Sequence, residues 1–98
     1  MKLHFTNPDA TPHNFVLLSG EKYIEPVGMA ANEMAKSPDG VKKQFIPDEE
    51  GILVHSKMLM PDSSETLRFN LPKRPGSYPY ICTFPGHWTA MQGVLVVE

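Results

Sequence analysis

The sequence predicts an all-β domain, a sandwich or barrel with one short helix in its middle. Three observations lead there. Short apolar segments with two-residue alternation recur along the chain and are separated by turn residues. Ten prolines and seven glycines disfavour a helical bundle and suit loop-rich β structure. The length of 98 residues fits a single domain, 1–98, with one modest core.

The first strand is expected at Leu3-His4-Phe5-Thr6, where Leu3 and Phe5 alternate with polar residues before a turn at Asn7-Pro8-Asp9. A second is expected over Asn14–Leu18, closed by Ser19-Gly20. Val27, Ala30, Ala31 and Met34 then follow the i, i+3, i+4, i+7 spacing of an amphipathic helix over about 27–36, stopped by Pro38-Asp39-Gly40. Ile52–His55 reads as a short strand. In the segment from Glu65 to Leu71, Leu67, Phe69 and Leu71 share one face, and the turn Pro72-Lys73-Arg74-Pro75-Gly76 follows. Ser77–Cys82 is a strand whose internal Pro79 implies an edge position or a bulge. Gly93–Val97 is continuously apolar and is expected to be a central, buried strand.

Composition excludes several function classes. The net charge of −2 and pI near 6.0 offer no basic field for a nucleic acid. No apolar run approaches the roughly 18–20 residues that cross a bilayer, so this chain is not expected to insert into a membrane. The opening MKLHFTNPD lacks the apolar run and small-residue cleavage site of a secretory leader. A lone cysteine, Cys82, excludes an intrachain disulfide and any two-cysteine metal site. That thiol is left as a buried hydrophobe, a nucleophile or a metal ligand.

The chemistry concentrates in Cys82-Thr-Phe-Pro-Gly-His87-Trp-Thr-Ala-Met91, read with Pro12-His13-Asn14 far upstream. Thiolate, imidazole and thioether within one interstrand loop form a soft donor set. A trigonal site of two histidines and a cysteine with a weak axial methionine is the blue-copper pattern. Cys82 and His87 supply two donors, His13 a third, and Met91 the axial one. The same donors also accept zinc. Pro85-Gly86 turns the chain so that His87 faces back toward Cys82, and Met91 follows one helical turn later. His4 and His55 sit in strand-like segments and receive no metal role; Met29, Met34, Met58 and Met60 are read as core filler. Trp88 stays open between a packing residue and an exposed partner-docking aromatic.

CTFPGHWTAMQG, with PHN upstream, resembles the cupredoxins, and the C-x4-H-x3-M spacing is most similar to the azurin type. DEEGILVHSKMLMPDSSETLRFNLP is similar to the segment leading to the azurin copper loop, and VGMAANEMAKSPDG falls where azurins carry a helical flap. The resemblance implies a Greek-key antiparallel sandwich and one type 1 copper, held by His13, Cys82 and His87 with Met91 on the axis. It implies a further weak carbonyl ligand at Pro12, where azurins usually have glycine. It implies that Asn14 ties the first histidine to the copper loop through Thr83, and that Phe84 and Pro85 shape the surroundings of the sulfur. It also implies one-electron transfer with redox partner proteins such as cytochromes, in a periplasmic or otherwise extracytoplasmic space.

The resemblance implies that Leu3–Phe5 corresponds to the third azurin strand, so either a fragment of a longer protein or a chain missing the first two strands is expected. A homo-oligomer or an upstream segment is therefore expected to cover the open strand edges. Enzyme readings are weaker. Cys82 and His87 lack the surroundings of a hydrolytic nucleophile, and no H-x-H pair provides a second copper. Copper storage or delivery, or a metal-free interaction module, are the alternatives to electron transfer.

Overall fold

A computed structural model describes residues 2–8, 10–47 and 49–97. The elements run β1 (Lys2–Asn7), β2 (Val16–Leu18), a 3-10 turn (Glu21–Tyr23), α1 (Ile24–Met34), β3 (Ile52–His55), β4 (Ser63–Arg68), β5 (Gly76–Ile81) and β6 (Gln92–Val97). All strand pairing is antiparallel. β1 and β4 form a two-stranded sheet, and the other strands form a four-stranded sheet in the order β3-β2-β5-β6.

The alternation of side chains explains the layering. On one face of the larger sheet, Leu17, Tyr78, Tyr80, Leu95 and Val97 pack with Phe15 against Leu3 and Phe5 of β1 and Leu67 and Phe69 at β4. On its other face Val16, Leu18 and Ile81 pack against Val27 of α1, with Trp88 alongside. β2 is thus buried on both faces. Each fully buried Leu or Ile there contributes about 1.5–3 kcal/mol relative to exposure.

Several element boundaries differ from the expected ones. Helix α1 begins at Ile24 because Pro26 falls in the first turn, where no intrahelical partner for its nitrogen is lost. It ends at Met34, and the chain tightens into i→i−3 bonds at Ala35, Lys36 and Ser37 before Pro38 is reached. β2 loses Asn14 and Phe15 to the metal-side segment. β4 starts at Ser63 and stops at Arg68, in register with the six residues of β1, so Leu71 lies outside the strand and is exposed. The expected turn at Asn7-Pro8-Asp9 reaches Asp9, which lies outside the described residues.

Two strand placements are corrected. β5 lies inside the sheet, between β2 and β6. Its Pro79 is accommodated because β2 reaches only Tyr80 and Ile81, so a proline at 79 removes no bond to β2. β6 is an edge strand and not a central one, pairing with β5 alone among the described residues. Leu95 and Val97 face the core, while Val94 and Val96 stay 56% and 61% exposed because α1 does not extend over them. The reading of four methionines as core filler also divides. Met34 and Met58 are half-buried, but Met29 and Met60 are exposed, since α1 buries the stripe of Val27, Gly28 and Ala31 and the pleat buries Leu59.

Candidate metal centre

His13 lies one segment ahead of β2, and Leu59 fixes its backbone through two bonds. Its N–H donates to the Leu59 carbonyl at 3.0 Å, and the Leu59 N–H returns a bond to the His13 carbonyl at 2.7 Å. The Asn7 carboxamide donates to the same Leu59 carbonyl at 2.9 Å. Phe15 is held likewise, its N–H on Ser56 Oγ at 2.9 Å and its carbonyl accepting from the Ser56 N–H at 2.8 Å. The imidazole therefore starts from a rigid base and is buried, at 6% exposure.

Cys82 directly follows β5. Its N–H donates to the Met91 carbonyl at 3.1 Å, closing the loop between β5 and β6 at its neck. Inside the loop the His87 N–H donates to the Phe84 carbonyl at 2.9 Å, and the Met91 N–H to the His87 carbonyl at 2.9 Å. Gly86 turns the chain at φ +86°, a left-handed conformation that favours glycine. The two halves of the site are laced by Asn14, whose carboxamide donates to Thr83 Oγ1 and accepts from the Thr83 N–H, both at 2.7 Å. Both residues are buried. Losing either side of that pair strands buried polar groups, at about 1–3 kcal/mol each.

These restraints bring His13, Cys82 and His87 together, with their donor atoms all within 4.8 Å of one another. Cys82 Sγ lies 3.8 Å from His13 Nδ1 and 3.7 Å from His87 Nδ1. The imidazole rings are 5.1 Å apart. An ion bound at typical lengths of about 2.3 Å to sulfur and about 2.0 Å to nitrogen, near 120°, needs a sulfur–nitrogen separation of about 3.7 Å. The donor set fits a trigonally bound metal. Met91 lies beside it: with Cys82, Asn14 and Phe5 it lines a cavity of about 330 Å³, and it is 36% exposed. Phe84 stacks obliquely on His87, ring centroids 4.7 Å apart. Pro12 and Pro85 are half-buried beside His13 and Phe84.

Burial pushes the Cys82 thiol pKa up, and backbone hydrogen bonds from Asn14 and Phe84 partly oppose this. Burial, and then the positive charge His13 can carry, push the His87 pKa down. A neutral imidazole is the form that ligates a metal.

His4 Nδ1 lies 3.1 Å from Thr66 Oγ1, and His55 Nδ1 lies 3.0 Å from the Ser56 carbonyl. Trp88 resolves to a packing residue, half-buried against the cluster of Val16, Leu18, Val27 and Ile81. Residues without a sequence signal also hold the site: Leu59 anchors the first histidine, Asn7 bonds the same Leu59 carbonyl, Ser56 holds Phe15, and Asn32 Oδ1 accepts from the Gly86 N–H at 2.8 Å. No local sequence signal marks them, because each contact depends on how distant segments meet.

Thiolate and imidazole converging on one point of an antiparallel sandwich define a mononuclear soft-metal protein. The chain matches, over residues 1–98, the family described as copper binding proteins, plastocyanin/azurin family, and it belongs to that family. Among its relatives it is similar to auracyanin-B of Chloroflexus aurantiacus, 36% identical over 99% of this chain and 41% of the relative. It is also similar to azurin of Pseudomonas chlororaphis, 29% identical over 88% of this chain and 65% of the relative. The solved structure of dithionite-reduced auracyanin from Roseiflexus castenholzii superposes with a TM-score of 0.82 at 33% identity, covering all of this chain and 76% of that one. This chain thus spans between two fifths and two thirds of the length of those two relatives.

Proposed function

We propose that this chain carries single electrons through one type 1 copper ion held by His13, Cys82 and His87, with Met91 as the weak axial donor and the Pro12 carbonyl as a further weak contact. The observation that carries the reading is the convergence of two imidazole nitrogens on one buried sulfur, at 3.7 and 3.8 Å. Bound copper supplies a Cu(II)/Cu(I) couple. The residues supply everything else. Cys82, directly after β5, would hold the ion through its thiolate. His13, its backbone fixed by Leu59, would hold the ion from a rigid base. His87, on the more exposed loop, faces the partner. Asn14, Thr83, Phe84 and Pro85 keep the sulfur hydrogen-bonded and shielded, which tunes the potential. Residues 1–98 act as one domain, a carrier with no catalytic residue.

The partners are redox proteins such as cytochromes, in a periplasmic or comparable extracytoplasmic space; no described helix is long and apolar enough to cross a membrane. The free edges of β1 and β6 are covered by a second copy or by further polypeptide. Zinc can take the same site when copper is scarce.

Thiolate-to-copper charge transfer at Cys82 predicts an intense visible absorption band for the Cu(II)-loaded protein, lost in Cys82→Ser. A copper-loaded sample with no strong visible band overturns the reading.

A further inference from the structure

We propose that helix α1 positions the ligand His87: Asn32 and Gly28 grip the residues on either side of it and so set where its imidazole meets the metal. Gly86 and Trp88 flank His87 in sequence. The Gly86 N–H donates to Asn32 Oδ1 at 2.8 Å. At the other flank the Trp88 indole lies on the bare backbone of Gly28, since a Cβ there would sit 2.2 Å from its Cδ2 atom. Gly28 is buried, and glycine inside a helix costs stability relative to alanine, so close approach is what the position gains.

Residues 28 and 32 are four apart on one face of a rigid element. The two grips therefore move together, and the ligand between them cannot shift without tilting the helix. The helix in turn is seated on the sheet through Val27, packed with Val16, Leu18 and Ile81, a cluster that Trp88 joins. A third contact comes from the segment after α1. The Phe45 ring meets Phe84 edge-on at 5.7 Å, and Phe84 meets the His87 ring at 4.7 Å. Gln44 and Phe45 both hold positive φ, 55° and 56°, conformations that persist where the surroundings impose them. The two histidines are thus held by different parts of the fold: His13 by Leu59 and Asn14, His87 by α1.

This rests on His87 being a metal ligand, but the first readout does not. In the metal-free protein, Asn32→Leu is expected to speed amide exchange at Gly86 by about tenfold, while Asn32→Asp, which keeps an acceptor oxygen, retains protection. Gly28→Ala, favourable on helix propensity alone, is expected to displace the indole and red-shift Trp88 fluorescence. In the copper-loaded protein, Asn32→Leu is expected to shift the Cu(II) EPR hyperfine splitting and the reduction potential, with Asn32→Asp closer to wild type. Asn32 is partly exposed, so folding is retained and is checked by circular dichroism. Unchanged Gly86 exchange and Trp88 emission overturn the grip. Altered exchange with unchanged EPR and potential overturns the positioning of His87. Absence of an intense visible band in the wild-type protein defeats the copper reading instead and leaves the exchange result standing.

Discussion

At Cys82 two influences oppose each other. Burial favours the neutral thiol, hydrogen bonds from the Asn14 and Phe84 backbone favour the thiolate, and burial prevails without a metal. A cation reverses the balance, because a coordinating thiol is deprotonated outright. Met91 acts more gently. As a weak donor it favours Cu(II), so Met91→Leu is expected to raise the reduction potential while copper stays bound, as voltammetry with metal analysis checks. An unchanged potential would remove Met91 from the axis. The meeting of Cys82 and His87 was legible in the sequence, because both lie in one loop at a diagnostic spacing. His13 was legible only through its neighbours Pro12 and Asn14. Asn32 was not legible, because its partner Gly86 is 54 positions away and their meeting depends on how α1 docks.

Among the elements, the clearest departure from sequence expectation is β6. Its run Val94-Leu95-Val96-Val97 reads as a strand buried on both faces, yet α1 covers the outer face only as far as Ile81 and leaves Val94 and Val96 in solvent. Hydrophobicity along a segment says that it is a strand; whether a second layer covers it depends on the length of the helix opposite. β1, with strict alternation, was legible almost to the residue. An edge without charge or proline invites pairing with another chain. β6 is such an edge, so the isolated chain is expected to self-associate in sedimentation experiments, and Val96→Lys, adding a charge on the exposed face, is expected to reduce that association. Equal sedimentation of the two proteins would show that β6 is not the contact.

For the molecule as a whole, the titration of the site becomes a stability profile. His87 has a lowered pKa, so its contribution is present above the ordinary value of 6.5 and is lost as pH falls below it. Cys82 has a raised pKa, so its contribution is present below 9.0 and is lost as pH rises beyond. Thermal melts of the metal-free protein are therefore expected to be flat between these limits and to fall on both sides. Copper is expected to raise the melting temperature, because it binds the folded state. A melting temperature that still rises on acidification below pH 6 would contradict the assignment at His87.

The cavity beside Met91 bears on speed as well as on stability. Phe5, Tyr80 and Met91 line, with Cys82, a cavity large enough to admit water beside a sulfur whose residue is itself only 3% exposed. In the proposed electron transfer, water admitted there would have to reorient with each change of charge, which would raise the barrier. A segment laid across that cavity would exclude water from it, and the proposed transfer would then be expected to quicken with every donor side chain left in place.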